Sequence, residues 1–295
     1  MRVSFLSAAF PGAGFAPKVL SKGAQSTSLH PLTGAEAYNS SPGKGPILRA
    51  DRIRVTFPSL QGGLEALENV SFEVGQGEFV CVVGPSGCGK STLLRVLSGL
   101  LLPTGGQVYL RGEPLNGPCR DIGIVFQKAN LMPWRTTLQN ITLPLEIQGM
   151  NAALARQRAA DLIGLVGLEG FEQNYPHELS GGMAHRVAIA RALIHDPEIL
   201  LLDEPFGSLD ALTRERMNLE LLRIWQVRRK TVVMVTHNIQ EAVFLADRVL
   251  VMTVRPGRVT ASLPVTLPRP RSQDAIYCDA FTALARRVRD SLPAG

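Results

Sequence analysis

The residues from Gly84 to Thr92 read GPSGCGKST, the pattern of a phosphate-binding loop. They follow a short apolar run and precede a helical pattern predicted to extend from Lys90 to Leu101. Glycines let the backbone wrap around a phosphate without a Cβ atom in the way, and amides at a helix start attract anions. Lys90 would contact the phosphates, and the Ser91 hydroxyl would bind Mg²⁺. The predicted nucleotide-binding loop consists of Gly84, Pro85, Ser86, Gly87, Cys88, Gly89, Lys90, Ser91 and Thr92.

A second acidic centre follows the apolar run ILLL, where Asp203 and Glu204 stand side by side. A carboxylate at Asp203 suits the coordination shell of Mg²⁺. A second carboxylate is unnecessary for one metal ion that already has phosphate ligands, so Glu204 fits a general base for an attacking water. Taken alone, Glu204 would be read as a surface acid at a strand end, but the phosphate loop favours the catalytic interpretation.

Two further polar residues, Gln127 and His237, end apolar strand patterns. Parallel strands present functional groups at their carboxyl ends. Gln127 could reach Mg²⁺ or the attacking water, although a simple polar strand end explains it equally well. His237 could donate a hydrogen bond to the terminal phosphate, although a lone histidine is more often structural.

The segment LSGGM contains a third possible phosphate contact, formed by Ser180, Gly181 and Gly182. Serine is a good helix N-cap, and bare glycine amides at the start of a helix form an anion site. No lysine stands nearby in the sequence to complete a phosphate cradle. The segment therefore predicts half of a site whose other half lies elsewhere.

The elements that must position these residues alternate between apolar strands and helical patterns, which predicts a parallel sheet covered by helices. Two β-rich runs between Ile47 and Val74 predict an antiparallel unit before it. A helical segment without β-rich partners covers about 132–195 and carries LSGGM near its end. The predicted fold class is therefore α/β, with a P-loop NTPase core and mostly parallel sheet, an N-terminal antiparallel β subdomain and an inserted α-helical subdomain.

The two ends of the chain differ from its middle. Residues 1–46 are rich in Gly, Pro, Ser and Ala and predict a disordered leader, and residues 259–295 predict a short tail with one amphipathic helix. Residues 1–50 and 255–295 each have a formal charge of +4, which leaves −2 for residues 51–254. A mildly acidic middle does not favour a nucleic-acid partner. The four cysteines lack metal or redox spacing and predict free thiols in a reducing cytoplasm.

Together and in this order, GPSGCGKST, Gln127, LSGGM, ILLLDEP, SLD at Ser208–Asp210 and His237 resemble the ATP-binding subunit of an ABC transporter. The resemblance extends over the predicted domain 47–258. It implies that Gln127 links bound nucleotide and Mg²⁺ to a membrane subunit, and that Asp203, Glu204 and His237 serve Mg²⁺, water and the γ-phosphate. It also implies that Ser208 and Asp210 belong to a loop at a dimer interface and that Phe57 stacks on adenine.

The segments LSGGM and VRPGRV are similar, more narrowly, to the nitrate/sulfonate/taurine importer group. This resemblance implies a homodimer, or a pair of ATPase subunits, in which Ser180, Gly181 and Gly182 contact the ATP of the partner. It further implies permease subunits, indirect action through a solute-binding protein, and a peripheral location on the cytoplasmic face of the inner membrane. The ATPase of an ABC exporter and a non-transport ABC ATPase are the alternatives. Met183, Ala184 and His185 depart from the residues common in importers.

Overall fold

The structure is a computed structural model that describes residues 45–58 and 63–293. These residues belong to one folded unit. Apart from Gly45 and Pro46, the predicted leader lies outside the described residues.

The described residues form strands and α-helices whose bounds are as follows. The strands are β1 (Leu48–Phe57), β2 (Leu64–Val74), β3 (Phe79–Val83), β4 (Gly105–Leu110), β5 (Glu113–Pro114), β6 (Ile122–Val125), β7 (Ile199–Asp203), β8 (Thr231–Thr236), β9 (Arg248–Met252) and β10 (Val259–Pro264). The helices are α1 (Lys90–Leu97), α2 (Thr137–Ile147), α3 (Ala152–Leu165), α4 (Gly181–Leu193), α5 (Ala211–Arg228), α6 (Ile239–Leu245) and α7 (Asp279–Asp290).

The main sheet has the strand order β10-β9-β3-β8-β7-β6. The five strands from β9 to β6 are parallel, and β10 pairs antiparallel with β9. Every residue of β3, β7, β8 and β9 is buried, as expected for parallel strands covered on both faces. The carboxyl ends of β3, β7 and β8 therefore meet at one edge of the sheet, where Gly84, Glu204 and His237 follow the strands.

A second sheet has the order β2-β1-β4-β5, and all its pairs are antiparallel. The prediction of an antiparallel unit before the parallel core is confirmed for β1 and β2. Strand β4 was not predicted, although it completes this sheet from a position after the phosphate-loop helix. Its sequence, GGQVYL, begins with two glycines and shows only a short apolar pattern.

Helices α2, α3 and α4 lie within the range predicted as a helical insertion, and α2 packs against both of the others. Each begins at a side-chain cap. Thr136 accepts a hydrogen bond from the Gln139 amide, Asn151 from Ala153 and Ser180 from Met183. Such caps satisfy backbone donors that have no partner inside the helix.

Helix α1 ends at Leu97, four residues before the predicted end at Leu101. Gly99 has φ +74°, and a Cβ atom there would clash with the Gly117 carbonyl. A glycine with positive φ just past the last helical residue is a common helix stop, and the nearby 117–118 backbone leaves no room for a side chain there. None of the helices in the part of the chain that the structure describes is both long and apolar enough to cross a membrane.

The segment after Arg258 contributes more than the predicted tail helix, because β10 extends the main sheet. The predicted amphipathic helix corresponds to α7, which buries Phe281, Leu284 and Val288 along one face. Its spacing of three and four residues is that of a helix packed on a core. The pattern of α7 was readable in the sequence, whereas strand β10 was missed although its residues alternate between half-buried and exposed.

Candidate active site

The phosphate-binding loop connects β3 to α1 at the carboxyl edge of the main sheet. Gly87 and Gly89 have φ angles of +76° and +105°, which residues with a Cβ atom rarely adopt. A Cβ atom at Gly89 would also lie 2.9 Å from the Ala66 carbonyl oxygen of β2. The loop thus has the strand–loop–helix setting that its sequence predicted, and β2 packs closely behind it.

Lys90 is buried in this loop, with 6% of its surface exposed. Its Nζ atom donates hydrogen bonds to the Gly84 and Pro85 carbonyl oxygens at 2.9 and 3.0 Å. The same ammonium lies 3.7 Å from Glu204 Oε1. A single positive charge therefore stands between the loop backbone and the acidic centre.

Ser91 and Asp203 form the pair expected to hold Mg²⁺. The Ser91 hydroxyl donates to Asp203 Oδ1 at 2.9 Å, and burial raises the pKa of Asp203 while this hydrogen bond lowers it. Both are hard oxygen donors, which suit Mg²⁺. Among the described residues no cluster of three His, Cys, Asp or Glu side chains could hold a metal by itself. The pair therefore fits an ion that takes its other ligands from phosphate and water.

Glu204 lies at the centre of the cluster. Its Oε2 atom is 2.9 Å from His237 Nδ1, while its Oε1 faces Lys90. Glu204 has φ +42°, an uncommon conformation for a residue with a side chain. A hydrogen bond from its amide to the Val235 carbonyl of β8 holds this turn. Such strain at a charged cluster is typical of functional sites.

The turn that carries His237 is locked by residues that the sequence interpretation did not single out. Thr236 Oγ1 donates to Glu241 Oε2 and accepts from the Asn238 amide, and Asn238 Oδ1 accepts from the Glu241 amide. Glu241 is buried, and burial raises its pKa. The spacing Asn-x-x-Glu is a helix-capping signal that could have identified this turn.

The LSGGM segment forms the start of α4, where Ser180 and Gly181 are exposed and Gly182 is buried. Ser180 Oγ accepts from the Met183 amide at 3.2 Å. A Cβ atom at Gly181 would lie 3.3 Å from the Leu209 side chain, and one at Gly182 would lie 3.3 Å from the Thr213 side chain. In one chain these two glycines therefore pack against the start of α5.

His185, one of the departures from the importer pattern, connects this helix to the residue after β6. Its Nδ1 lies 2.9 Å from the Gly181 carbonyl oxygen and its Nε2 lies 3.2 Å from the Gln127 carbonyl oxygen. The ring is buried, with 4% exposed. A neutral imidazole has one N–H and can donate to only one of these carbonyls at a time. The spacing of four residues from Gly181 was the available signal for the first contact.

The other predicted site residues lie around this centre. Gln127 is exposed just beyond β6, and Phe57 ends β1, half-buried against the core of the antiparallel sheet. Asp210 caps α5 by accepting from the Thr213 amide, and hydrogen bonds from the Thr213 side chain and then from this amide lower the pKa of Asp210. Ser208 is exposed before it. Hydrogen bonds and close charge contacts bring together Lys90, Ser91, Asp203, Glu204 and His237, whereas Phe57, Ser180 and Asp210 contact other elements.

Comparison with known proteins agrees with this geometry. The family model described as ABC transporter matches residues 67–207. The chain is 49% identical over 214 residues to a taurine import ATP-binding protein of Burkholderia pseudomallei, covering 72% of this chain and 82% of that protein. It is 47% identical to the nitrate import ATP-binding protein of Synechococcus elongatus, covering 81% and 88%. It is 41% identical to the aliphatic sulfonates import ATP-binding protein of Bacillus cereus, covering 79% and 90%.

A solved structure shares the fold. The dimeric post-hydrolysis state of the ATP-binding cassette MJ0796 bound to ADP and Pi aligns with a TM-score of 0.67 and 35% identity, covering 75% of this chain and all of that one. The fold and site therefore define an α/β P-loop ATPase that binds and hydrolyses ATP. More narrowly, the chain belongs to the ABC transporter family. The resemblance to that family and to its nitrate/sulfonate/taurine group, predicted from the motifs, is confirmed.

Proposed function

We propose that this chain is the ATP-hydrolysing motor of an importer and works as a homodimer on a separate membrane permease. The observation that carries the proposal is the cluster at one sheet edge, where Glu204 lies between the Lys90 ammonium and the His237 ring. Relatives that carry the names of import ATP-binding proteins support the importer assignment over an exporter.

In this proposal the loop from Gly84 to Thr92 binds the phosphates of ATP. Backbone amides and the start of α1 offer hydrogen bonds and positive potential, and Lys90 exchanges its loop carbonyls for phosphate oxygens. Ser91 and Asp203 would hold Mg²⁺, with Gln127 as a further ligand. When bound, the ion would neutralise charge that develops on the phosphates.

Glu204 is the general base that takes a proton from the attacking water. Its two oxygens face different partners, so one can accept the proton while the other keeps its contact with His237 or Lys90. His237 holds Glu204 in place and donates toward the γ-phosphate. Phe57 supplies a face for stacking on adenine.

The second half of each site comes from a partner subunit. At the start of α4, Ser180 and Gly181 are exposed and Gly182 is buried. The described neighbours of the two glycines lie at 209–217 and not in the phosphate loop of their own chain. Across a two-fold dimer this helix start would face ATP held by the other subunit, and Ser208 and Asp210 would lie at the interface. ATP binding then favours the closed dimer because it contacts both subunits.

The permease would dock near Gln127 and helices α2 to α4, which places the motor peripherally on the cytoplasmic face of the inner membrane. The solute would be a small anion or zwitterion of the taurine, sulfonate or nitrate class, delivered by a solute-binding protein. The importer proposal is tested by purifying the chain with its membrane partner and adding candidate binding proteins loaded with each solute. We expect one loaded binding protein to stimulate ATP hydrolysis. Recovery of the chain alone after gentle extraction would contradict a permease partner.

A further inference from the structure

The segment VRPGRV, which set this chain within its importer group, forms a turn against the back of the phosphate loop. The turn covers residues 253–258 between β9 and β10 and is held by its own hydrogen bonds. Thr253 Oγ1 donates to the Pro256 carbonyl and accepts from the Arg258 amide, at 3.1 and 3.0 Å. Because these hydrogen bonds close the turn, the backbone positions that carry its side chains are fixed.

Strand β2 anchors the 253–258 turn from the other side. The Gly257 amide donates to the Ala66 carbonyl, and the Gly257 carbonyl accepts from the Glu68 amide, both at 3.0 Å. The Arg258 side chain pairs with the Glu68 carboxylate, with Nε to Oε2 at 3.0 Å. The turn is therefore attached to the same strand that packs behind Gly89.

Two contacts join this turn to the phosphate loop. Arg255 Nη2 donates to the Gly87 carbonyl oxygen at 3.0 Å. Gly257 packs so closely that a Cβ atom there would overlap the Cys88 carbonyl oxygen. Successive carbonyls of the loop, those of Gly87 and Cys88, therefore both face the 253–258 turn.

We infer that Arg255 is a positioning residue for ATP binding, which holds the Gly87–Cys88 peptide of the phosphate loop from behind. The inference rests on the proposed nucleotide site. The N–H of a trans peptide points away from its C=O, so holding the Gly87 carbonyl directs the Cys88 amide into the loop. That amide contacts the Pro85 carbonyl at 3.3 Å, on the side that Lys90 also faces. Gly87 has a positive φ and no side chain of its own to fix this peptide.

The charge of Arg255 supports the same role. Within the part of the chain that the structure describes, no carboxylate lies at ion-pair distance from Arg255, whereas Arg258 on the same turn is paired with Glu68. An uncompensated positive charge beside the loop adds to the potential that attracts a polyanion. The two arginines therefore share a turn and an exposed setting but differ in their contact with the loop.

The test compares Arg255→Gln with the matched control Arg258→Gln, in the full-length chain. Because a hydrogen bond from a charged donor is worth more than a neutral one, we expect the KM for ATP to rise about fivefold in Arg255→Gln. The kcat and melting temperature should stay close to those of the wild type. The control should leave KM unchanged. Arg255→Lys should recover part of the affinity, since an ammonium can still donate to the carbonyl.

Binding of a fluorescent ATP analogue separates this inference from the nucleotide site itself. Lys90→Ala should lose binding in either case, because the lysine belongs to the proposed site. Suppose that Lys90→Ala loses binding while Arg255→Gln keeps a KM within about twofold of the wild type, a smaller change than the loss of one hydrogen bond to a charged group should cause. The positioning role of Arg255 would then be wrong, and the proposed nucleotide site would stand. An equal rise in KM and an equal drop in melting temperature in both arginine variants would also overturn it, since that pattern reports only the stability of the turn.

Gly257→Ala provides a second test that does not depend on charge. The added methyl must displace either the turn or the Cys88 carbonyl, so ATP affinity should fall in protein that retains its far-UV circular dichroism. Full affinity in this folded variant would show that the loop does not depend on the turn.

Discussion

At the residue scale, Glu204 combines three features that together indicate chemistry. It has a positive φ, it follows a buried strand, and its two oxygens face a lysine and a histidine. A surface acid at a strand end would need neither the positive φ nor the two side-chain partners. Lys90 and His237 therefore hold the carboxylate in one orientation, as a general base requires.

Glu204→Gln should lower kcat for ATP hydrolysis by about 10²- to 10⁴-fold, because an amide cannot accept the proton of the attacking water. ATP binding should persist, and ATP should then stabilise dimers that size-exclusion chromatography detects. The matched control is Glu198→Gln, just before the same strand, where the carboxylate is paired with Arg111 on the surface. Normal turnover by Glu204→Gln would rule out the assignment as base.

Glu241 should make stability depend on pH, because burial raises its pKa above the ordinary value of 4.5. Below that pH both the folded and the unfolded chain carry a neutral Glu241 carboxyl, so its titration does not change the free energy of unfolding. Above it the unfolded chain ionises first, and the folded state loses relative stability until the raised pKa is passed. In Glu241→Gln this loss is absent, while the amide oxygen can still accept from Thr236.

The measurement is the melting temperature of Glu241→Gln and wild type at about pH 5 and about pH 8. We expect the difference, variant minus wild type, to be more positive at the higher pH. A difference that is the same at both values would show that the carboxyl does not titrate differently in the folded state.

At the scale of elements, the start of α4 is fitted closely to α5. Gly182 is buried, and a Cβ atom there would lie 3.3 Å from Thr213 Cγ2 and 3.8 Å from Met217 Sδ. The Ser180 side chain accepts from the Met183 amide, which leaves the Gly181 and Gly182 amides for an anion. His185 on the same helix also contacts the Gln127 carbonyl after β6, so this side chain links the two segments.

Gly182→Asp should leave ATP binding by the monomer nearly unchanged and lower hydrolysis at least about tenfold, because it adds a negative charge to the helix start proposed to face the partner's phosphate. Gly182→Ala is the control, since it adds the same Cβ atom without charge. Isothermal titration measures binding, and phosphate release measures hydrolysis. Equal hydrolysis by the Asp and Ala variants would contradict a shared site.

At the scale of the whole molecule, the C-terminal segment fastens the helix that follows His237. Arg271 donates to the Val243, Phe244 and Ala246 carbonyls at the end of α6, and helix α7 packs on α6. Burial lowers the pKa of this arginine to about 10, so it stays charged at neutral pH. The segment after β10 is therefore part of the ATPase fold.

Arg271→Ala should lower the free energy of unfolding by roughly 2–4 kcal/mol, because it leaves several buried carbonyls without donors. Urea unfolding, followed by circular dichroism, measures this loss. Arg286→Ala, an exposed change on α7, should alter stability by less than about 0.5 kcal/mol. Similar midpoints for the two variants would mean that Arg271 does not fasten α6.

The sequence by itself determined the local elements. Gly84 to Thr92 specify a strand–loop–helix turn because glycine conformation, a helix start and a lysine act within a few residues of one another. The apolar runs of β3, β7 and β8 fixed a parallel sheet by the same local rules, and the order of the motifs identified the family. Capping residues such as Ser180 likewise act on their own helix.

Only the tertiary structure decided which distant residues meet. The approach of Glu204 to Lys90 and His237 depends on the order β3-β8-β7, which no local pattern contains. Strand β4 in the antiparallel sheet, His185 against Gln127 and Arg255 behind Gly87 are also long-range contacts. Such contacts form when separate elements bury their apolar faces together, so they follow from packing of the whole chain and not from any one segment.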